Sequence, residues 1–215
     1  MSEHRHYSLL DNICLGLDQA LRAVFANAKT TERPYPAKDL VEADLTQDQR
    51  KQVAGLMRVN HAGEVCAQAL YHGQGLVSRR LDVKEKMQQA AIEEGDHLVW
   101  CNKRLTELGS HASYLNPLWY TGSFAIGLTA GLIGDKWSLG FLAETENQVV
   151  KHLEEHLQLL PQIDQKSFRI LEQMHQDEAE HRDHALDSGA AVLPVWIKKM
   201  MQMASKVMVK TAFWI

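Results

Sequence analysis

The sequence predicts an all-α protein: a bundle of four long helices, with one further helix before it and an amphipathic helix after it. Three observations carry this. Apolar residues recur at three- and four-residue steps through most of the 215 residues, the period of a helix buried along one face. Alternating runs of the kind that make half-buried strands are few. Helix starts and stops also recur at intervals that suit long rods. Hydrophobic residues at 45% and charged residues at 23% give a globular balance, and the length allows one sizeable core but not comfortably two. A single domain over residues 1–215 is expected, with its bundle core at about 46–188.

The elements follow in order. Ser8 to about Ala28 reads as an amphipathic helix, broken by the stretch from Thr31 through Pro34 to Pro36. Thr46 and Gln49 have capping-box spacing and open a long helix to about Val77. A second runs from about Asp82 to Leu108 and stops at Gly109. Asn116-Pro117 starts a third, expected to continue unbroken to about Leu160, where Pro161 halts it. Asp164 caps a fourth reaching about Asp187, with Ser188-Gly189 behind it. Pro194 opens a last helix to the C-terminus.

Two stretches of the bundle repeat one chemical unit. Glu94-Gly95-Asp96-His97 and Glu178-Ala179-Glu180-His181 are each Glu-x-x-His, and residues three apart share a helix face. Glu64 precedes the first unit and Glu146 the second, with 84 residues between the units and 82 between these glutamates. Each glutamate falls inside an apolar stripe: Val53, Met57, Asn60, Glu64, Ala67, Tyr71 on one helix; Met87, Ala90, Glu94, His97, Cys101 on the next. The third carries Leu139, Leu142, Glu146, Val149, Leu153, His156 and Leu160, and the fourth Leu171, Met174, Glu178, His181 and Ala185.

A lone buried carboxylate is costly, so it must be paired, protonated or bound to metal. Four converging carboxylates repel one another by, on the order of, several kcal/mol unless cations lie between them. Two divalent ions supply that charge and use both imidazoles. Four glutamates and two histidines on four helices form the ligand set of a carboxylate-bridged pair of iron or manganese ions. Zinc is less suited, since its sites are usually four-coordinate with nitrogen or sulfur. Open coordination positions would admit dioxygen.

The same test sorts decoys. Glu3/His6 precedes any helix. Glu172/His175 lies six residues before Glu178/His181, a rotation of about 120°, so both pairs cannot aim at one centre. Glu144 falls off the stripe that holds Glu146. His61, His72, His152 and His156, taken singly, read as surface or hydrogen-bonded imidazoles.

The remaining composition excludes more than it assigns. A formal net charge of −4 gives no reason to expect a nucleic-acid partner. Three scattered cysteines, Cys14, Cys66 and Cys101, make no CxxC and fit a reducing compartment. The first residues show no signal-peptide pattern. No GxGxxG follows a strand, so a Rossmann module is not expected. Two segments are more apolar than a plain cytosolic bundle needs. Residues 118–134 hold 17 positions without a charge, at the lower limit for a membrane span, and are rich in glycine. Residues 192–215 combine Trp196, Ile197, several methionines and Phe213-Trp214-Ile215 with Lys198, Lys199, Lys206 and Lys210, the pattern of a helix lying in a bilayer interface. Core or homo-oligomer packing is the alternative for both.

Arg58-Val59-Asn60-His61-Ala62-Gly63-Glu64, followed by Tyr71-His72-Gly73-Gln74, resembles the opening motif of the demethoxyubiquinone hydroxylases. Glu93-Glu94-Gly95-Asp96-His97-Leu98, the segment from Glu146 to His152, and Asp177-Glu178-Ala179-Glu180-His181-Arg182-Asp183 are similar to it as well. The resemblance runs from about residue 50 to 190, four motifs in order. It implies a ferritin-like bundle with two iron ions on Glu64, Glu94, His97, Glu146, Glu178 and His181. It implies Asp177 as a second partner of a metal-bound imidazole and His152 as a supporting residue; the tyrosine that follows this histidine in some relatives is Leu153 here.

The implied activity is a monooxygenase of ubiquinone biosynthesis. It adds one atom of dioxygen, the co-substrate, to a polyprenyl quinol ring, with NADH or the quinol as electron donor. A peripheral position on the cytoplasmic side of the inner membrane, a homo-oligomer and other ubiquinone-biosynthesis proteins as partners belong to the same expectation. The competing readings are a ferritin-like ferroxidase for iron storage, a related hydroxylase of another substrate, and a non-catalytic membrane-associated scaffold.

Overall fold

The computed structural model describes residues 9–25 and 28–215. Among the described residues there are seven helices and no strand: α1 Leu9–Phe25, α2 Gln47–Val77, α3 Leu81–Glu107, α4 Asn116–Ile133, α5 Asp135–Leu159, α6 Gln165–Asp187 and α7 Val195–Ala212. The expected ends of the first helix, Ser8 and residues 26–27, and the decoy Glu3/His6 lie outside the described residues.

The local signals act as the chemistry requires. Thr46 Oγ1 accepts from the backbone N–H of Gln49, and the Gln49 side chain accepts from the N–H of Thr46, closing the capping box of α2. The Asp164 carboxylate caps α6 by accepting from Ser167 N. Gly109 and Gly189, at φ 69° and 90°, turn the chain out of α3 and α6.

One expectation is corrected. The stretch from Asn116 to Leu160 is two helices, because Gly134 sits at φ 138°, a conformation only glycine takes without strain. Asp135 then fastens the corner: its carboxylate accepts from Ser78 Oγ and from the backbone N–H groups of Arg79 and Arg80.

The break changes the topology. His61 meets Asn116, Leu70 meets Gly127 and Gln74 meets Gly131, so α4 runs parallel to α2 along its outside. The approach is close: a Cβ at Gly127 would lie 2.3 Å from the Leu70 carbonyl oxygen. Helix α4 is thus a crossover that returns the chain to the top of the bundle. The bundle itself is α2, α3, α5 and α6, with α3 parallel to α5, the ferritin-like arrangement with one long connection.

Nearly all the predicted stripe residues are buried; Val149 and His181 are half-buried. They form two apolar layers. Val53, Met57, Cys101, Leu153, Leu171 and Met174 pack in one, and Ala67, Tyr71, Met87, Leu139, Leu142 and Ala185 in the other. The six acidic and imidazole residues lie between. Outside the bundle, residues 28–45 form an irregular strap tied down at buried Arg104, whose guanidinium donates to Glu42, Glu107, Asp164 and Ser167. Helix α7 returns antiparallel to α2. Its end is held by Arg58, which donates to the carbonyls of Phe213 and His111 and to Ser110 Oγ.

Candidate metal centre

Each bundle helix delivers its predicted donor to one place. Glu64 comes from α2, Glu94 and His97 from α3, Glu146 from α5, Glu178 and His181 from α6. Glu64, Glu94, His97 and Glu178 present ligating atoms within 4.8 Å of one another. His97 Nδ1 lies 3.0 Å from Glu94 Oε2, 3.1 Å from Glu178 Oε1 and 3.8 Å from Glu64 Oε2. His181 Nδ1 lies 3.2 Å from Glu178 Oε2 and 3.4 Å from Glu94 Oε1. Glu94 and Glu178 therefore each give one oxygen to either imidazole. Glu64 stands on the His97 side. Glu146 is close enough to Glu178 and His181 to feel both charges.

The other ring nitrogens are held crosswise. His97 Nε2 donates to Asp177 Oδ2 at 2.8 Å, and His181 Nε2 donates to Glu93 Oε2 at 2.7 Å. The acid preceding each unit thus braces the histidine of the other. A neutral imidazole that donates from Nε2 keeps its Nδ1 lone pair aimed at the glutamates, the form a metal needs.

The electrostatics of the cluster without metal are unbalanced in a particular way. Burial disfavours charge on every member. It pushes Glu64 and Glu146 well above the usual carboxylate range, and neighbouring carboxylates push them further, Glu94 and Glu178 for Glu64, Glu178 and Glu64 for Glu146. Against the same burial, hydrogen bonds from both imidazoles hold Glu94 and Glu178 low. Both imidazoles are raised, because their carboxylate partners outweigh burial. Protons thus occupy the place of cations.

The donor set fits a pair of divalent ions: four carboxylates balance their charge, two carboxylates already span both imidazoles, and buried oxygens are left without a hydrogen bond. Those are Glu94 Oε1, Glu178 Oε1 and both oxygens of Glu146.

The decoys stay outside. Glu172 pairs with Arg169 and His175 with Glu154 at the surface. Glu144 is buried but turned to α7, where Lys198 Nζ lies 2.9 Å away. His72 bonds the Tyr120 hydroxyl. His61 and His156 are buried, and burial pushes both down to about 4 and about 3. His152 neighbours another imidazole. Its ring centroid lies 3.9 Å from that of His156, and its Nε2 has no hydrogen-bond partner. Six residues past Glu146, it points about a third of a turn away on a helix. Glu93 enters the sequence reading only as part of a motif, with no role of its own. Its signal was the acidic residue at the same offset in both units. Arg33 and Trp100, which bear on the Asp177 side, carried no spacing signal.

Comparison with known proteins adds to this geometry. A family model described as "Ubiquinone biosynthesis protein COQ7" matches residues 51–212. The chain is similar to proteins named 3-demethoxyubiquinol 3-hydroxylase from several bacteria. It is 54% identical to that of Nitrosococcus oceani over 213 residues, covering 99% of this chain and 100% of the relative. It is 54% identical to that of Acinetobacter baylyi over 98% of this chain and 100% of the relative. For that of Nitrosomonas eutropha the identity is 52%, over 96% and 99%.

Proposed function

The chain belongs to the COQ7 family of ubiquinone biosynthesis proteins, and on that premise we propose that it hydroxylates the ring of a demethoxyubiquinol with dioxygen at a pair of iron ions. The observation that carries this reading is the sharing of Glu94 and Glu178 between two inward-facing imidazoles. Glu64, Glu94, Glu146 and Glu178 would hold the ions through their carboxylates, together with His97 and His181, whose Nδ1 atoms face Glu94 and Glu178. Iron held there supplies the binding and reductive activation of dioxygen, which no side chain can perform.

The protein's part is placement, proton control and dryness. Asp177 and Glu93 fix the tautomer and direction of each imidazole. The apolar layers on either side keep water from the centre. In the overall change a ring C–H becomes C–OH with one oxygen atom. The other oxygen leaves as water, taking two electrons from a reductant, for which NADH or the quinol is the proposed donor, and two protons, of which NADH would bring one and solvent the other.

The substrate carries a polyprenyl tail and is dissolved in lipid, so the route to it matters. An apolar groove of about 330 Å³ lies between α4, α5 and α7, lined by Ile126, Ile133, Trp137, Phe141, Leu193 and Ile197. Around it α4 exposes Leu118, Ile126, Leu132 and Ile133, and α7 exposes Trp196, Met200, Met203 and Val207. No described helix is long and apolar enough to cross a membrane. In our reading this surface rests on the cytoplasmic face of the inner membrane and the groove admits the tail. Other ubiquinone-biosynthesis proteins and a second copy of the chain are proposed partners.

A strain lacking this gene tests the proposal. Its extracted lipids should accumulate demethoxyubiquinone, cured by the wild-type chain but not by Glu178→Ala. A normal ubiquinone profile would overturn the assignment. Iron storage would instead predict mineral loading and an unaltered quinone pool.

A further inference from the structure

The strap before the bundle lies outside the residues matched by the family model, yet it reaches the centre. Arg33 Nη2 donates to Asp177 Oδ2, the oxygen that also accepts from His97 Nε2. The Arg33 guanidinium lies 4.8 Å from the centroid of the Trp100 ring, and Trp100 lies 5.3 Å from the His97 ring. Gln173 Nε2 donates to the second Asp177 oxygen at 3.0 Å. Thr31 Oγ1 donates to Asp96 Oδ2, beside His97 in α3. Contact is so close that a Cβ at Gly95 would lie 1.8 Å from the Lys29 carbonyl oxygen, so the glycine inside the first Glu-x-x-His unit is the seat of the strap.

The opposite brace lacks this support. Besides His181, Glu93 accepts a hydrogen bond only from Gln89 Nε2 among the described residues, Arg33 acting on it through charge alone, and its side chain is 28% exposed against 11% for Asp177. His181 is 10% exposed, where His97 is fully enclosed. A cavity of about 500 Å³ beside α3, α5 and α6 is lined by Arg33 and Asp177 as well as by Glu93 and His181, so it opens on both braces and the difference lies in their hydrogen bonds and exposure. The crosswise pattern is therefore symmetric in connectivity and asymmetric in rigidity.

We propose that Arg33 is a positioning residue that makes the two metal positions unequal: by locking Asp177, and through it His97, it gives the His97 position the tighter ion and leaves the His181 position the exchangeable one. This rests on the reading of the six residues as a two-metal site. Arginine suits the task because its planar fork fixes a carboxylate's orientation while its face stacks on Trp100. Its positive charge, which alone would repel an ion, is matched by Asp177, so orientation is the effect that survives. Supporting groups of this kind change metal affinity by about 10–100-fold.

Anaerobic titration of the metal-free protein with Co(II), followed by its visible absorption and by equilibrium dialysis, tests this without turnover. The wild type should take two ions with affinities at least about tenfold apart. The tighter step should survive in His181→Ala and vanish in His97→Ala. Arg33→Gln should weaken the tighter step about 10–100-fold and leave the other within about twofold, and Arg33→Lys should restore part of the loss. The thermal midpoint of the metal-free variants separates positioning from general loosening. A selective loss of the tighter step larger than any shift in that midpoint supports the proposal. Two unchanged constants, or two constants weakened alike, overturn it. A wild type that fails to take two ions overturns the two-metal reading itself.

Discussion

Glu94 and Glu178 show how much one residue's surroundings decide. Chemically they match Glu64 and Glu146, yet two imidazoles hold the first pair ionised while burial and like charge drive protons onto the second. Raised values on His97, His181, Glu64 and Glu146 mean that protons compete with metal up to a higher pH than they would at free side chains. Affinity should therefore rise with pH through neutrality, and loading should expel protons. The carboxylates around them raise both imidazoles, and burial raises Glu64 and Glu146, so up to four protons should be released per pair of ions. Calorimetric titration with Mn(II) in buffers of different ionisation enthalpy would read this number; no release would contradict the charge pattern.

The pair of Glu-x-x-His units makes a second residue-scale expectation sharp. Glu178→Ala should abolish binding of at least one ion, since it removes an oxygen from each imidazole's surroundings. Glu172→Ala, which loses only a surface contact with Arg169, should keep the full metal content. Metal analysis after anaerobic reconstitution distinguishes them. The convergence of these six residues is legible in the sequence because each lies on a stripe with period 3.6. Arg33 is not, because a contact between residues 144 apart in sequence leaves no trace in local spacing.

At the scale of elements, what the sequence hides is the end of a helix that has no proline. Residues 118–134 read from the sequence as a membrane-associating segment, with core packing as the alternative. They serve both ends: Gly127 and Gly131 press on α2, while Leu118, Ile126 and Ile133 face outward. The α4 glycines can be told apart by experiment. Gly122 has open space beyond its Cα, so Gly122→Ala should stabilise the protein by about 0.5–1 kcal/mol through helix propensity. Gly127→Ala gains the same propensity but drives a methyl against the Leu70 carbonyl, a backbone atom that cannot swing aside. Overpacking at about 1–3 kcal/mol outweighs that gain. Urea unfolding midpoints should move in opposite directions for the two variants. A shift in the same direction would mean that α4 does not sit on α2 at this distance.

For the whole molecule the question is which side faces what. The six glutamates and histidines converge in the middle of α2, α3, α5 and α6, the strap covers one flank, and α4 and α7 present apolar side chains on another. On α7 the exposed residues Trp196, Met200, Met203 and Val207 recur at three- and four-residue steps, a helix stripe turned away from the core. Soluble proteins seldom leave such a stripe beside an apolar groove. Lys199, Lys206 and Lys210 on the same helix add attraction to an anionic lipid surface, while Lys198 is turned inward to Glu144. Both contributions predict binding to vesicles that contain phosphatidylglycerol, and their salt dependence separates them. Raising ionic strength from about 0.1 to about 1 M shortens the screening length from about 10 to about 3 Å and should weaken binding without abolishing it. Replacing Trp196 and Met203 together by glutamate should abolish it at either salt. These side chains lie on the far face of α7 from the bundle, so the doubly substituted protein should keep its full metal content. Flotation of vesicles with bound protein, alongside metal analysis of the same sample, measures both. Undiminished flotation would show that α7 is not the docking element. Loss of metal together with flotation would show that α7 supports the bundle rather than its contact with lipid.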